Sequence, residues 1–325
     1  MTVNGSGSVL EIARESTYGT DVTKTTSVPF VSEGFELTPG FAKSAGMRNG
    51  NSMLVDDDIR RTSKTVEGEV TFDLYDKGLL EWFHSVYGSD GYTFGAGSPN
   101  THTFLVGAQS ASHDSLCADL FVGGNTSVLE KKITGIIANG YSVSAAAGDD
   151  TPIQISFSCS GQDVAGDTAQ TAAGVEVSGL ESFTWAGVTV TLNSVSCVQG
   201  FSMDVAVPKE PRWCLGSTTQ QKPDRSGMAT VTGTVDLFFS DWTEYNEMVA
   251  GTTSALNITA AEIGAASTNH QYAWTNNIYF TGGTPTVDSP ERVEVTMNWE
   301  AVGTTPGDQD ASAHQLVVSS TDATL

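Results

Sequence analysis

Cations, cysteines and long apolar runs are all scarce in this chain. Lysine and arginine number 15 in 325 residues against 38 Asp and Glu, giving a net charge of −23. A surface so poor in cations excludes proteins that coat duplex DNA or anionic membrane, because such binding needs clustered Lys and Arg to displace counterions. It is compatible with a surface past which DNA must move without sticking. Charged residues make up 16% of the chain, below the roughly 25% of an ordinary soluble protein, so Ser, Thr, Asn and Gly supply most of the polar exterior. Few long charged side chains imply few long helices. The longest apolar runs, such as Ile133 to Ala138, fall far short of the ~20 residues that span a bilayer, so no membrane partner is expected. Met1 to Ser6 has neither the basic segment nor the apolar stretch of a signal peptide, which gives an expectation of cytosolic synthesis.

Recognisable chemistry is also lacking. The four cysteines, Cys117, Cys159, Cys197 and Cys214, contain no CxxC pair, so neither a zinc site nor a disulfide scaffold is indicated and buried thiols are expected. The five histidines show no HExxH spacing, and there is no GxSxG elbow or GxxxxGK[ST] loop. Three consecutive carboxylates, Asp56, Asp57 and Asp58, cannot all face one ion; pairing with Arg60 and Arg61, or with a neighbour's loop, is the better expectation. No carboxylate pair stands out for glycoside hydrolysis. No catalytic residue, metal or cofactor is therefore expected.

What is present is alternation. Val66, Gly68, Val70, Phe72 and Leu74 fall on one side of a run whose other side is Thr65, Glu67, Glu69, Thr71 and Asp73. Ile153 to Cys159 and Val293 to Trp299 read the same way, as antiparallel strands with one core face and one wet face. One helix stands out, predicted from a cap at Asp76 to Tyr87, with Leu79, Leu80, Phe83, Val86 and Tyr87 at three- and four-residue intervals and Gly88 closing it.

An internal repeat organises these elements. Glu33-Gly34-Phe35-Glu36-Leu37 has a counterpart in Gln199-Gly200-Phe201-Ser202-Met203, and Thr65-Val66-Glu67-Gly68-Glu69-Val70 in Thr230-Val231-Thr232-Gly233-Thr234-Val235. Each second segment leads to Asp76 or Asp241 and an aromatic-bearing helix ending at Gly88 or Gly251, the second with a short stripe of Trp242, Tyr245 and Met248. The chain is thus expected to be mainly β, with two tandem β-sandwich or barrel domains at 1–165 and 183–325 and a linker at 166–182. The length allows two domains, each with its own core.

Between the paired strands of each copy lies a long polar loop, Gly40 to Lys64 and Pro208 to Ser226. These hold Lys43, Arg48, Arg60, Arg61 and Lys64, then Lys209, Arg212, Lys222 and Arg225, which is nine of the 15 cations. Long loops inside compact domains are often functional, and the acidic surface nearest these is another copy of the chain.

The opening Glu15-Ser16-Thr17-Tyr18-Gly19-Thr20, followed by Val28-Pro29-Phe30, the Glu33 to Leu37 strand, the basic loop, and Val66 to Val70 before a helix, resembles the tail tube proteins of long-tailed, siphovirus-like bacteriophages, in a form with a duplicated tube domain. The resemblance is strongest over the first ninety residues or so. It implies a non-enzymatic virion protein that forms stacked rings, trimeric with pseudo-sixfold symmetry, whose inner strands close into a barrel. It implies assembly in the host cytoplasm, with a tape-measure protein and terminator or tip proteins as partners, and viral DNA passing through without specific binding. Closed barrels have no free edges, and Glu67, Glu69, Asp73, Thr232, Thr234 and Asp236 are the expected lumen-facing residues. Lys43, Arg48, Asp56, Asp57, Asp58, Arg60, Arg61, Lys64, Lys209, Arg212, Lys222 and Arg225 are the expected contacts between rings. Rival expectations are another tail component (terminator, hub or decoration protein) and a two-domain β-sandwich carbohydrate-binding protein.

Overall fold

A computed structural model describes residues 8–24, 26–45, 53, 58–106, 113–122, 129–168, 175–192, 195, 197–263, 270–286, 292–303 and 313–322. The fold is mainly β, with two short α-helices, α1 (Leu80–Tyr87) and α2 (Thr243–Ala250), among the described residues. The alternating runs form strands as their two-residue period requires: Ile59–Asp73, Gln154–Gly161 and Glu294–Ala301 each bury the apolar side and expose the polar one.

The same antiparallel ladder order occurs in both halves. In the first, Val9–Arg14 pairs with Leu116–Val122, then Leu129–Ala146, Gln154–Gly161, Ile59–Asp73 and Glu36–Lys43 follow in turn. In the second the order is Val188–Leu192, Ser254–Ala261, Gln271–Gly282, Glu294–Ala301, Thr230–Phe238 and Val198–Ala206. Even a bulge recurs, skipping Asn139 in one half and Thr281 in the other.

The halves are joined by backbone hydrogen bonds. Val198–Ala206 pairs on one side with Thr230–Phe238 and on the other with Leu129–Ala146, from Gly200 opposite Ala146 to Ala206 opposite Gly140. One sheet therefore runs from Glu36–Lys43 through both halves to Gln271–Gly282. Its apolar face packs into an uninterrupted core that includes Val70, Phe72, Phe157, Tyr141, Met203, Val235, Met297 and Trp299, with α1 contributing Trp82, Phe83 and Tyr87.

Several local expectations are corrected. Asp76 does not cap α1: the helix begins after Leu79 without a side-chain cap. The Asp76 carboxylate is instead buried, accepts the Glu181 N–H at 3.0 Å and lies 3.3 Å from His270. Only Cys117 and Cys159 are buried; Cys197 and Cys214 are exposed. Cys197 precedes a strand and Cys214 sits in the turn of a hairpin, so neither reaches the core. Both long loops contain strand: Glu36–Lys43 extends its ladder with Ile59–Asp73, and Lys209–Arg212 pairs with Gln221–Arg225. Asp163–Thr168, which straddles the expected boundary at residue 165, pairs with Leu129–Ala146. The apolar stripe of α2 buries none of its residues.

Candidate functional site

The polar face of the shared sheet gathers residues that are far apart in sequence. Ladder register sets Glu67, Glu69, Thr71 and Asp73 beside Ser160, Ser158, Ser156 and Gln154. Across the junction, Ser142 and Ser144 meet Asp204 and Ser202, which meet Thr232 and Thr234. Glu300, Asn298 and Thr296 come next, opposite Thr232, Thr234 and Asp236. All six residues expected to face a lumen thus share one face of one sheet. Hydroxyl ladders tie its strands together: Thr71 to Ser156 at 2.7 Å, Ser202 to Thr234 at 2.8 Å, and Thr296 donating to Asp236 Oδ1 at 2.6 Å. The strand positions on this face from 65 to 73, 140 to 146, 154 to 160, 200 to 206, 230 to 236 and 294 to 300 carry Glu and Asp but no Lys or Arg. At Asp204, partial burial raises the carboxyl pKa. The centre of the face is an open concavity of about 600 Å³ lined by Ser142, Ser144, Ser202, Asp204, Thr234 and Glu300 among others.

Behind that face, the junction between halves is sealed by a buried lysine and a chain of polar groups. Lys209 follows the junction strand, is buried, and donates to the carbonyl oxygens of Ser85 (2.9 Å) and Val86 (3.1 Å) at the C-terminal end of α1, and to that of Ala138. Carbonyls at a helix C-terminus carry partial negative charge, which favours a cation there. Burial pulls the Lys209 pKa well below its ordinary value. Nearby, Trp274 Nε1 donates to Tyr141 (3.1 Å), whose hydroxyl is 2.7 Å from Tyr87, and Tyr87 lies 2.6 Å from His314 Nε2. His314 Nδ1 is 2.6 Å from Asn276 Oδ1. Burial lowers the His314 pKa to about 3, so the imidazole is neutral: Nδ1 carries the proton toward Asn276 and Nε2 accepts from Tyr87. Tyr272 of the second half also packs on Phe83, ring centroids 5.8 Å apart.

A model of the phage tail tube protein family matches residues 5–301. The chain belongs to that family. No curated protein matches it. Tail tube proteins are structural components of the virion tail, and the β-rich sheet architecture agrees with that role.

For a tail tube protein, the placement of the cations matters. Lys209 points inward and is held within its own chain. Arg212 pairs with Asp224 at 2.8 Å on the exposed hairpin and also donates to the Lys222 carbonyl at 3.3 Å. Arg225 Nε donates to Gly227 O at 3.0 Å, and Lys64 pairs with Asp163 at 2.6 Å. Lys43, Arg60 and Arg61 are exposed along the other hairpin, and Asp58 is buried. Arg48, Asp56 and Asp57 lie outside the described residues. Sequence reasoning missed the junction lysine as a structural group. The alignment through Gly34 and Gly200 does not signal it: in the ladders Leu37 faces Val66 as Val205 faces Val231, so Leu37 corresponds to Val205 and Lys43 is not the counterpart of Lys209.

Proposed function

We propose that the chain self-assembles into stacked rings that form the tail tube, the conduit for DNA on its way to the host, and that it has no catalytic role. The observation that carries this reading is the ladder between Val198–Ala206 and Leu129–Ala146. It joins two similarly wired sheets edge to edge, so the chain already contains the kind of contact from which a ring is built. At one end of the joined sheet, Glu36–Lys43 pairs only with Ile59–Asp73 among the described residues. Pairing that edge with another copy removes it, as barrel closure does. The matching ladder orders support division into tandem tube domains at 1–165 and 183–325, with 166–182 between them; three chains then supply six similar units per ring.

In this arrangement the cation-free polar face lines the lumen. Carboxylates at Glu67, Glu69, Asp73 and Asp236 repel the DNA backbone, and Ser and Thr hydroxyls give it no fixed charge to grip. The exposed hairpin bearing Arg60 and Arg61, with neighbouring loop residues Arg48, Asp56 and Asp57, docks on the next ring, as do Arg212, Lys222 and Arg225 of the second hairpin, whereas Asp58 is buried within its own chain. The tape-measure protein fills the lumen during assembly in the host cytoplasm, and terminator or tip proteins close the ends. Electron microscopy of the purified protein tests the reading: long hollow rods are expected. An Arg60→Glu, Arg61→Glu variant is expected to give rings or short stubs with unchanged melting. A wild-type protein that stays monomeric with the tape-measure protein present would overturn the proposal.

A further inference from the structure

The two hairpins that carry most of the cations are mounted differently. In the first, none of residues 38–43 and 59–65 is buried. In the second, Lys209, Gln220 and Pro223 are buried, although the turn at residues 212–216 is exposed. Two of these three are held by the other half of the chain. Lys209 fixes one strand to the last turn of α1 and to Ala138. Where the other strand begins, the Gln220 carbonyl accepts a hydrogen bond from Gln162 Nε2 at 2.9 Å. Beside these attachments the hairpin overhangs an open cleft of about 450 Å³, lined by Lys209, Pro211 and Gln220 on one side and Asn139, Ser158 and Ser160 on the other. Its angle to the first half therefore depends on where it is attached.

Gln162 is itself set by a buried clasp. It sits at the bend between Gln154–Gly161 and Asp163–Thr168, with its N–H donating to the Thr134 carbonyl at 2.9 Å. Its side chain is wedged against two glycines of positive φ, Gly19 and Gly135. A Cβ at Gly19 would fall 1.7 Å from Gln162 Oε1, and one at Gly135 would fall 2.6 Å from Gln162 Cβ, so only glycine leaves room. The buried Glu15 carboxylate ties these glycines together, accepting from the Gly19 N–H at 2.8 Å and the Gly135 N–H at 2.7 Å. It also accepts from Ser115 Oγ at 2.7 Å. A shift of the turn at residues 15–20 is thereby passed to Gln162, because close-packed groups transmit strain.

We infer that the turn at residues 15–20 is a positioning device for the second hairpin. Through Gln162 it fixes the angle at which that hairpin leaves the first half, and so presents Arg212 and Lys222 in one pose. A docking element held in its bound pose loses less freedom on binding. The first hairpin buries none of its paired residues, and its orientation is left to its partner. This inference rests on reading the second hairpin as a docking element.

The test uses Gln162→Met, which removes the donor at similar volume. Spin labels on Cys214, in the hairpin turn, and on an Asp90→Cys thiol in the first half, with Cys197→Ser removing the other exposed cysteine, report the hairpin angle in monomers by pulsed electron paramagnetic resonance. A narrow distance distribution is expected without the Gln162 change, and one at least about twofold broader with it, at an unchanged melting temperature. Gly19→Ala, which pushes Gln162 aside without touching the hairpin, is expected to broaden it as well. Unlabelled Gln162→Met is expected to need about tenfold more protein than wild type to form tubes. An unchanged width in Gln162→Met would overturn the inference, as would a broadened distribution with normal tube formation. A wild type that never assembles would overturn the self-assembly reading, and the width comparison alone then decides the mount.

Discussion

Val86 and Val249 occupy the same place in two equivalent helices, yet one is wholly buried and the other 69% exposed. The residue type is the same, but α1 carries Leu80, Trp82, Phe83 and Tyr87 where α2 is mostly polar. Around Val86, the chain supplies Lys209 on the carbonyls, Tyr272 on the aromatic face and His314 on Tyr87, because a second half follows the first. Around Val249, none of the α2 residues is buried. Burial here is set by which groups the fold brings against each helix, and exposed apolar residues rimmed by polar ones mark where a partner fits.

The sharpest way to break this comparison is through the glycines that follow the shared bulge, Gly140 and Gly282. Gly140→Ala forces a methyl against the Val205 carbonyl oxygen at 2.2 Å and is expected to cost the monomer about 3 kcal/mol or more, since backbone on both sides must move. Gly282→Ala, whose methyl meets only the Asn298 side chain at 3.2 Å, is expected to leave monomer stability within about 1 kcal/mol in urea titration. Similar losses in both monomers would dissolve the distinction between an occupied and an open site.

Lysine removal comes next. Lys209→Ala leaves three buried carbonyls without their donor and is expected to destabilise the monomer by about 2–4 kcal/mol, read from the denaturation midpoint. Lys43→Ala is expected to change monomer stability by less than about 0.5 kcal/mol. A destabilised Lys43→Ala monomer would mean that the lysine already has a structural role within one chain.

Acid sharpens the comparison in a second way. The folded pKa of His314 is about 3, below the ordinary 6.5, and burial beside Lys209, Arg225 and Lys222 lowers His113 to about 3. Between those values the unfolded chain binds protons that the folded chain does not, so stability is complete above pH 6.5 and falls progressively toward pH 3. Urea midpoints are expected to drop between pH 7 and pH 4, with a shallower drop in His314→Gln. An identical slope in that variant would show that the junction histidine does not contribute.

The smallest effect concerns the apolar edge. Val207→Ser is expected to cost about 1–3 kcal/mol, whereas Phe41→Ser is expected to leave the monomer nearly unchanged and raise its solubility. The readouts are thermal melting and the concentration at which light scattering rises.

Much of the fold was legible because strand alternation is a local property. Val66, Val70 and Phe72 against Glu67, Glu69 and Asp73 specify a core face and a wet face without reference to any partner strand. The recurrence of Gly-Phe and Val-x-Gly-x-Val at matched spacing announced a second copy, and the ladders run in the same order in both halves. The capping role given to Asp76 failed because a buried carboxylate can satisfy a distant N–H, here that of Glu181, as well as a local one. The cysteines divided for a similar reason: alternation placed Cys159 on the core face, but nothing local distinguishes the turn around Cys214 from a buried strand.

By itself, then, the sequence determined the faces: which side of each strand is apolar, where the negative charge lies, and that the pattern occurs twice. Tertiary structure alone decided the neighbours. Pairing Val198–Ala206 with Leu129–Ala146 depends on backbone groups that every residue possesses, so side-chain order carries little record of which edge meets which. That pairing sends Lys209 inward, whereas Lys43, on the strand at the far end of the same sheet, is exposed.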